Sequence, residues 1–200
     1  VGLNEACYFM GLDILQPEGQ AFINKILDIT NDLNDKATKK YNAPHNVEQV
    51  PAENSAIKLA QKDKLLNYQN EFELYSNQFI PLTTNANLLD RITLQGLFDS
   101  KMTGGAICHL NVEQQITNSK LIEDLLITAA KAGVVYTAIN YNLQRCINEH
   151  MSVGKNTVCP ICGKEIVDNF TRVVGFLVNT KNFHKVRREE DYPKRVFYKE

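Results

Sequence analysis

The sequence predicts an α/β fold in which helices clad a parallel sheet, followed by a small unit held by a metal clip. Helical stretches alternate with short runs whose apolar residues fall at every second position, the pattern of strand–helix–strand units. Gly104-Gly105 and Gly133 punctuate that alternation at the ends of elements. From about Leu143 onward Gly, Cys and charged residues replace the helical period, so the expected boundary divides residues 1–143 from residues 144–200.

Taken in order, Pro17 to about Lys40 reads as a helix. Phe22, Ile26, Ile29 and Leu33 share one apolar stripe, and Asp28, Asp32 and Asp35 lie largely off it. Pro17 suits a first helical turn, where its missing N–H has no partner to lose. His45 to Val50 reads as a short strand ended by Pro51, and a second helix begins near Asn54 and runs to about Leu66. A third helix spans Asn87 to Lys101, marked by Leu88, Ile92 and Leu97. Ala106 to Val112 alternates as a half-buried strand does. Asn118 or Ser119 caps a fourth helix, with Leu121, Ile122, Leu125, Leu126 and Ala129 as its buried stripe. Gly133 stops that helix and Val134 to Asn140 forms the next strand.

Composition narrows the function. With 22 Lys+Arg against 23 Asp+Glu the net charge is −1, without the cationic excess of a nucleic-acid binder. Residues 181–200 are locally basic (Lys181, Lys185, Arg187, Arg188, Lys194, Arg195 and Lys199 against Glu189, Glu190, Asp191 and Glu200), which reads as a solvated tail. No apolar run reaches the ~18 residues of a membrane span, and no signal peptide opens the chain. Five cysteines, three of them clustered near a histidine, point to metal ligation in a reducing cytoplasm and not to a disulfide framework. The chain opens at Val1 without an initiator Met, as a fragment of a longer protein would.

The metal clip reads Cys146-x3-His150-x8-Cys159-Pro160-Ile161-Cys162-Gly163. Two thiolates two residues apart reach one ion, and Pro and Gly shape the tight turn around it. A closed structural zinc site takes four ligands, and Cys146 and His150 are the nearest candidates for the other two. His150 leaves an alternative open, in which Glu149 or water completes the site. Cys108 and His109 read as a buried thiol beside a satisfied histidine, and Cys7 as core.

Beyond the clip comes Arg172-Val173-Val174-Gly175-Phe176, with Gly175 thirteen residues past Cys162. On residue chemistry alone Gly175 is a strand glycine that permits a bulge or a close backbone approach. The clip and this motif, with Gly2-Leu3-Asn4-Glu5-Ala6 and Val50-Pro51-Ala52-Glu53 upstream, resemble the C-terminal end of the oxygen-sensitive class III (anaerobic) ribonucleotide reductases. The resemblance covers nearly the whole chain. The family often uses four cysteines where this chain has His150.

The resemblance implies the C-terminal part of a ten-stranded α/β barrel, followed by a small zinc-bound glycyl radical domain. It implies reduction of ribonucleoside triphosphates to 2′-deoxyribonucleotides, with a backbone radical installed at Gly175 by a radical-SAM activating enzyme. The radical would pass to a cysteine on an upstream loop, for which this chain holds no counterpart, and then to the 3′ hydrogen of the ribose. Formate or a small thiol protein would supply electrons. The Pro51–Ser55 turn looks like the family's phosphate-cradling loop, which assigns Ala52, Glu53, Asn54 and Ser55 to substrate phosphate; the alternative is a helix cap at Asn54 or Ser55. The resemblance further implies a homodimer and partnership with the N-terminal part of the reductase. Two rivals remain: a glycyl radical enzyme of the formate-lyase or dehydratase type, and a non-enzymatic zinc-binding interaction module.

Overall fold

The computed structural model describes residues 1–66, 69–173 and 176–199. Helix α1 (Leu3–Phe9) leads into α2 (Pro17–Tyr41), which Pro17 opens and Asn42 closes in the left-handed conformation at φ 49°. Lys39 and Lys40 in the last turn of α2 complement its dipole. Helix α3 (Glu53–Leu65) follows, then α4 (Leu88–Asp99), which Asn87 caps by accepting from the Asp90 N–H. Strand β1 (Cys108–Val112), α5 (Ser119–Ala132) and β2 (Thr137–Tyr141) complete a strand–helix–strand unit. Asn118 caps α5 through the Lys120 N–H, and Gly133 ends it at φ 94°.

β1 and β2 are parallel, in register from Cys108↔Thr137 to Val112↔Tyr141. A second sheet is antiparallel with order β4-β3-β5-β6, built from β3 (Leu143–Cys146), β4 (Met151–Val153), β5 (Ile166–Val173) and β6 (Phe176–Asn179). The mixed α/β fold agrees with the sequence expectation. The parallel order follows from the α5 crossover, because strands joined by a helix of that length run the same way.

Two apolar clusters form the core, one among the helices and one between helices and β1. Cys7, Ile14, Ile23, Leu27, Phe79 and Phe98 form the larger one, in which the Phe79 and Phe98 ring centroids lie 4.8 Å apart. Ile92, Cys108, Leu110 and Ala129 form the second, between α4, β1 and α5. The C-terminal segment closes the free side of β1: the Tyr198 N–H donates to Asn111 O at 2.9 Å and the Glu113 N–H to Tyr198 O at 2.8 Å. The Tyr198 hydroxyl, which donates to Ala86 O and accepts from Arg91 Nε, fixes that segment on α4.

Several sequence expectations need correction. His45–Val50 is no strand; Glu48 makes one isolated bridge with Gly105, because Gly104-Gly105 turns away after a single pair. The buried stripe of α2 is Gly19, Ile23 and Leu27, while Ile29 and Leu33 are exposed. A Cβ at Gly19 would lie 2.1 Å from Asp13 O, so close approach at this glycine draws its side of the helix inward. Ala129 alone is fully buried on α5; Leu121 and Leu126 are exposed. Nor is the basic terminal stretch a solvated tail: Arg187, Asp191 and Arg195 are buried, with both guanidinium groups on Asp191 Oδ2 at 3.1 and 2.6 Å. No helix is long and apolar enough to cross a membrane among the described residues.

Candidate metal centre and the adjoining strands

Two tight turns build the centre. In the first, Cys146 ends β3, its N–H donates to His150 O at 3.1 Å, and the Glu149 N–H donates to Cys146 O at 2.9 Å. Glu149 sits at φ 63°, which turns the chain back so that His150 meets the start of β4. In the second, the Cys159 N–H donates to Lys164 O and the Gly163 N–H to Cys159 O, both at 2.8 Å. Gly163 at φ 69° supplies the left-handed step that a residue with a Cβ resists. The Ile147 N–H donates to Glu165 O at 3.1 Å and joins the two turns.

The turns bring together Cys146, His150, Cys159 and Cys162, whose ligand atoms all lie within 4.8 Å of one another. Cys146 Sγ and Cys162 Sγ are 3.8 Å apart, and Cys159 Sγ is 3.9 Å from His150 Nδ1. Zn–S bonds of ~2.3 Å and a Zn–N bond of ~2.0–2.1 Å in a tetrahedron imply S–S edges of ~3.8 Å and S–N edges of ~3.6 Å. The donor set therefore fits a structural zinc ion. Of the two candidates for the fourth position, the geometry gathers His150 and not Glu149.

The electrostatics suit thiolate ligation. Burial opposes ionisation of Cys159, but the backbone N–H groups of Cys162 and Ile161, with the Cys162 and Cys146 thiols, bring its thiol down to about 6. At Cys162 the Lys164 N–H pulls downward, yet burial and the neighbouring Cys159 and Cys146 raise the thiol. A cation among these sulfurs removes that mutual repulsion.

Sequence reading missed the clamp beside the centre. Buried Asp168 on β5 accepts from Asn179 Nδ2 at 2.9 Å, Arg145 Nε at 3.0 Å and Lys181 Nζ at 3.1 Å, which holds its carboxyl far below the usual range. The register Arg145↔Asp168 would have shown this, but register is not readable from one strand alone.

Gly175, with Val174, lies outside the described residues. The strands on either side pair as far as Val173↔Phe176. Phe176 and Leu177, at the start of β6, are exposed.

The Val50–Ala56 segment leads into α3 as expected, but neither Asn54 nor Ser55 caps the helix. The cap position is Ala52, left-handed at φ 45° and with no side-chain bond to the first turn; Asn54 and Ser55 are exposed within the helix. Cys7 and Cys108 are buried, and burial pushes the Cys108 thiol up to about 12. His109 is buried beside it, and burial with the charges of Arg195 and Arg172 brings its imidazole down to about 4. The buried pair is thus a neutral imidazole beside a protonated thiol.

The sequence profile of the anaerobic ribonucleoside-triphosphate reductase family matches residues 1–198. Among solved structures, the chain is similar to an anaerobic ribonucleotide reductase at 38% identity and a TM-score of 0.90, covering 100% of this chain and 33% of that one. The Thermotoga maritima anaerobic ribonucleotide reductase with glycerol in its active site matches at 38% identity and 0.84, over 96% of this chain and 33% of that one. The same enzyme in complex with dATP and CTP matches at 38% identity and 0.81, over 94% and 32%. This chain thus spans about a third of the length of these solved relatives. A search of curated proteins found no match.

Proposed function

Because the chain belongs to the anaerobic ribonucleoside-triphosphate reductase family, we propose that it is the C-terminal portion of a reductase that converts ribonucleoside triphosphates to 2′-deoxyribonucleotides by radical chemistry. The observation that carries this reading is the match along the whole chain at 38% identity and a TM-score of 0.90. The family match sets aside the formate-lyase, dehydratase and zinc-module rivals.

In this reading residues 1–143 are the C-terminal part of the ten-stranded barrel, and residues 144–200 carry the zinc site and the radical. Cys146, His150, Cys159 and Cys162 would hold zinc, which supplies a rigid cross-link between the β3–β4 turn and the Cys159–Cys162 turn. Gly175 is the radical site, set thirteen residues past Cys162. Loss of a Cα hydrogen leaves an electron shared between the flanking amide groups. That requires a planar centre, and glycine alone has no side chain to oppose it.

Ala52, Glu53, Asn54 and Ser55 would receive the substrate's phosphates. The first turn of α3 has no side-chain cap, so its backbone N–H groups are open to an anion. Ala52 is held at φ 45°, a conformation costly for an L residue and common where backbone is aimed at a ligand. The activating radical-SAM enzyme, the N-terminal part of the reductase and a second copy in a homodimer complete the assembly.

The test is an anaerobic assay of the complete reductase with its activating enzyme and each ribonucleoside triphosphate. The reading predicts deoxyribonucleotide product and an organic-radical doublet in EPR. Absence of both from metal-replete protein sinks it.

A further inference from the structure

The parallel pair β1–β2 and the antiparallel sheet share no strand-to-strand pairing among the described residues. A file of side-chain amides joins them. The Arg172 N–H donates to Asn140 Oδ1 at 2.8 Å, and Asn140 Nδ2 donates to Asn111 Oδ1 at 2.7 Å. Asn111 Nδ2 donates in turn to Val196 O at 3.3 Å. Asn140 Nδ2 also reaches Thr171 Oγ1 at 3.0 Å. Asn140, Asn111 and Thr171 are 2%, 1% and 0% exposed, so water does not compete for these bonds.

The direction of the file is fixed at both ends. A backbone N–H only donates, so Asn140 must turn its oxygen to Arg172; a backbone carbonyl only accepts, so Asn111 must turn its nitrogen to Val196. One carboxamide thus acts as a single residue of β-strand between β2 and β5, and it grips β5 three residues before Gly175. Asn111↔Asn140 is a register pair of the parallel sheet, so the grip is referred to the rigid strand–helix–strand unit and to the C-terminal segment that pairs with β1.

We propose that Asn140, backed by Asn111, is a positioning residue that sets where β5 delivers Gly175. The proposal rests on the assignment of Gly175 as the radical site. Asn140 touches no reacting atom; it acts through the Arg172 backbone. Neighbouring Asn142 provides the contrast. It is equally buried at 2%, but it bonds Gly154 O and the Tyr192 hydroxyl, neither of which lies on β5.

The experiment uses the complete reductase with its radical-SAM activating enzyme under anaerobiosis, comparing wild type with Asn140→Leu, Asn140→Asp and Asn142→Leu. Radical per zinc-loaded chain is read by EPR, and kcat and KM for nucleotide are read separately. Asn140→Leu should lower radical yield and kcat together by ~10–100-fold with KM unchanged, the effect of misplacing a reacting group by about 1 Å. Asn140→Asp keeps the acceptor for Arg172 but loses the donor to Asn111, and should fall between. Asn142→Leu should keep its radical yield per zinc-loaded chain. Wild-type radical yield in Asn140→Leu, or an equal loss in Asn142→Leu, overturns the proposal. Should Asn140→Leu fail to fold, wild-type yield in Asn140→Asp overturns it. Fast hydrogen exchange of the Arg172 amide in the wild type does so without any variant. A wild type that gives no doublet condemns the Gly175 assignment instead, so the two failures are distinguishable.

Discussion

Cys146 Sγ at the end of β3 lies 3.8 Å from Cys162 Sγ in the second turn, although the two are 16 positions apart in sequence. The backbone brings them together through the Ile147–Glu165 bond and the Val158↔Glu165 bridge, which register one turn against the other. With Cys159 and His150 completing the group, the fold gathers four donor atoms within 4.8 Å of one another on two turns. Neither turn buries much apolar surface: Ile147, Val158 and Ile161 are all exposed. A metal ion bound there would supply a cross-link that these exposed side chains do not.

One zinc per chain is the first expectation. X-ray absorption should give Zn–S near ~2.3 Å and Zn–N near ~2.0–2.1 Å. Chelation should loosen residues 144–200 and spare α2, α4 and α5, as read by hydrogen exchange. Less than about half an equivalent in metal-replete protein rules the site out. Full zinc retention in His150→Ala removes only the histidine.

His109 should make stability depend on acid. Its folded-state value is about 4 against an ordinary 6.5, so between these the unfolded chain binds more protons. The sign follows: the contribution is complete above about pH 6.5 and is lost as pH falls towards 4, by about 3 kcal/mol in all. Glu5, raised by burial, has the opposite slope above its ordinary range, so the comparison must be with His109→Gln. Urea midpoints of that variant should lose the extra fall between pH 6.5 and 4. Parallel profiles for the two proteins would show that His109 does not titrate as its surroundings require.

Gly96 is where α4 meets the end of α5. A Cβ there would lie 2.0 Å from Ala132 O, a backbone atom that no rotamer change can move. Ala favours helix over Gly by about 1 kcal/mol, whereas overpacking opposes it by ~1–3 kcal/mol or more. The severity of the overlap makes the second effect win, so Gly96→Ala should lower stability by about 2 kcal/mol. An unchanged or raised Tm would mean that the two helices separate at little cost.

These contacts also show what the sequence could and could not say. The clip was legible because ligand spacing is local: Cys159-x2-Cys162 is written in four consecutive residues, and Gly163 announces the turn. Helix ends were legible for the same reason, in Pro17, Asn87, Asn118 and Gly133. The choice between Gly19-Ile23-Leu27 and Phe22-Ile26-Ile29-Leu33 as the inner stripe of α2 was not. Periodicity finds an apolar face, but what lies opposite selects which edge of it is buried. The Asn111–Asn140–Arg172 file was hidden more deeply. Polar residues on the inward side of β1 and β2 stand out only once the alternation is placed in register, and their partners come from elements up to 85 residues away.

Gly175 carries the final expectation. Alanine at this position would crowd a planar radical centre and obstruct approach to the Cα hydrogen, while adding only one methyl group, so fold and zinc content should be kept. Wild-type protein activated anaerobically should give an EPR doublet, because the unpaired electron couples to the one hydrogen left on Cα. Glycine deuterated at that carbon should collapse the doublet, and Gly175→Ala should abolish it. Brief exposure to air should cut the wild-type chain at residue 175, since dioxygen adds to the carbon-centred radical and the backbone breaks there. Mass spectrometry of the fragments then locates the radical without reference to activity. A doublet that persists in Gly175→Ala, or a cut that maps elsewhere, returns Gly175 to the role of a glycine that merely lets the backbone turn.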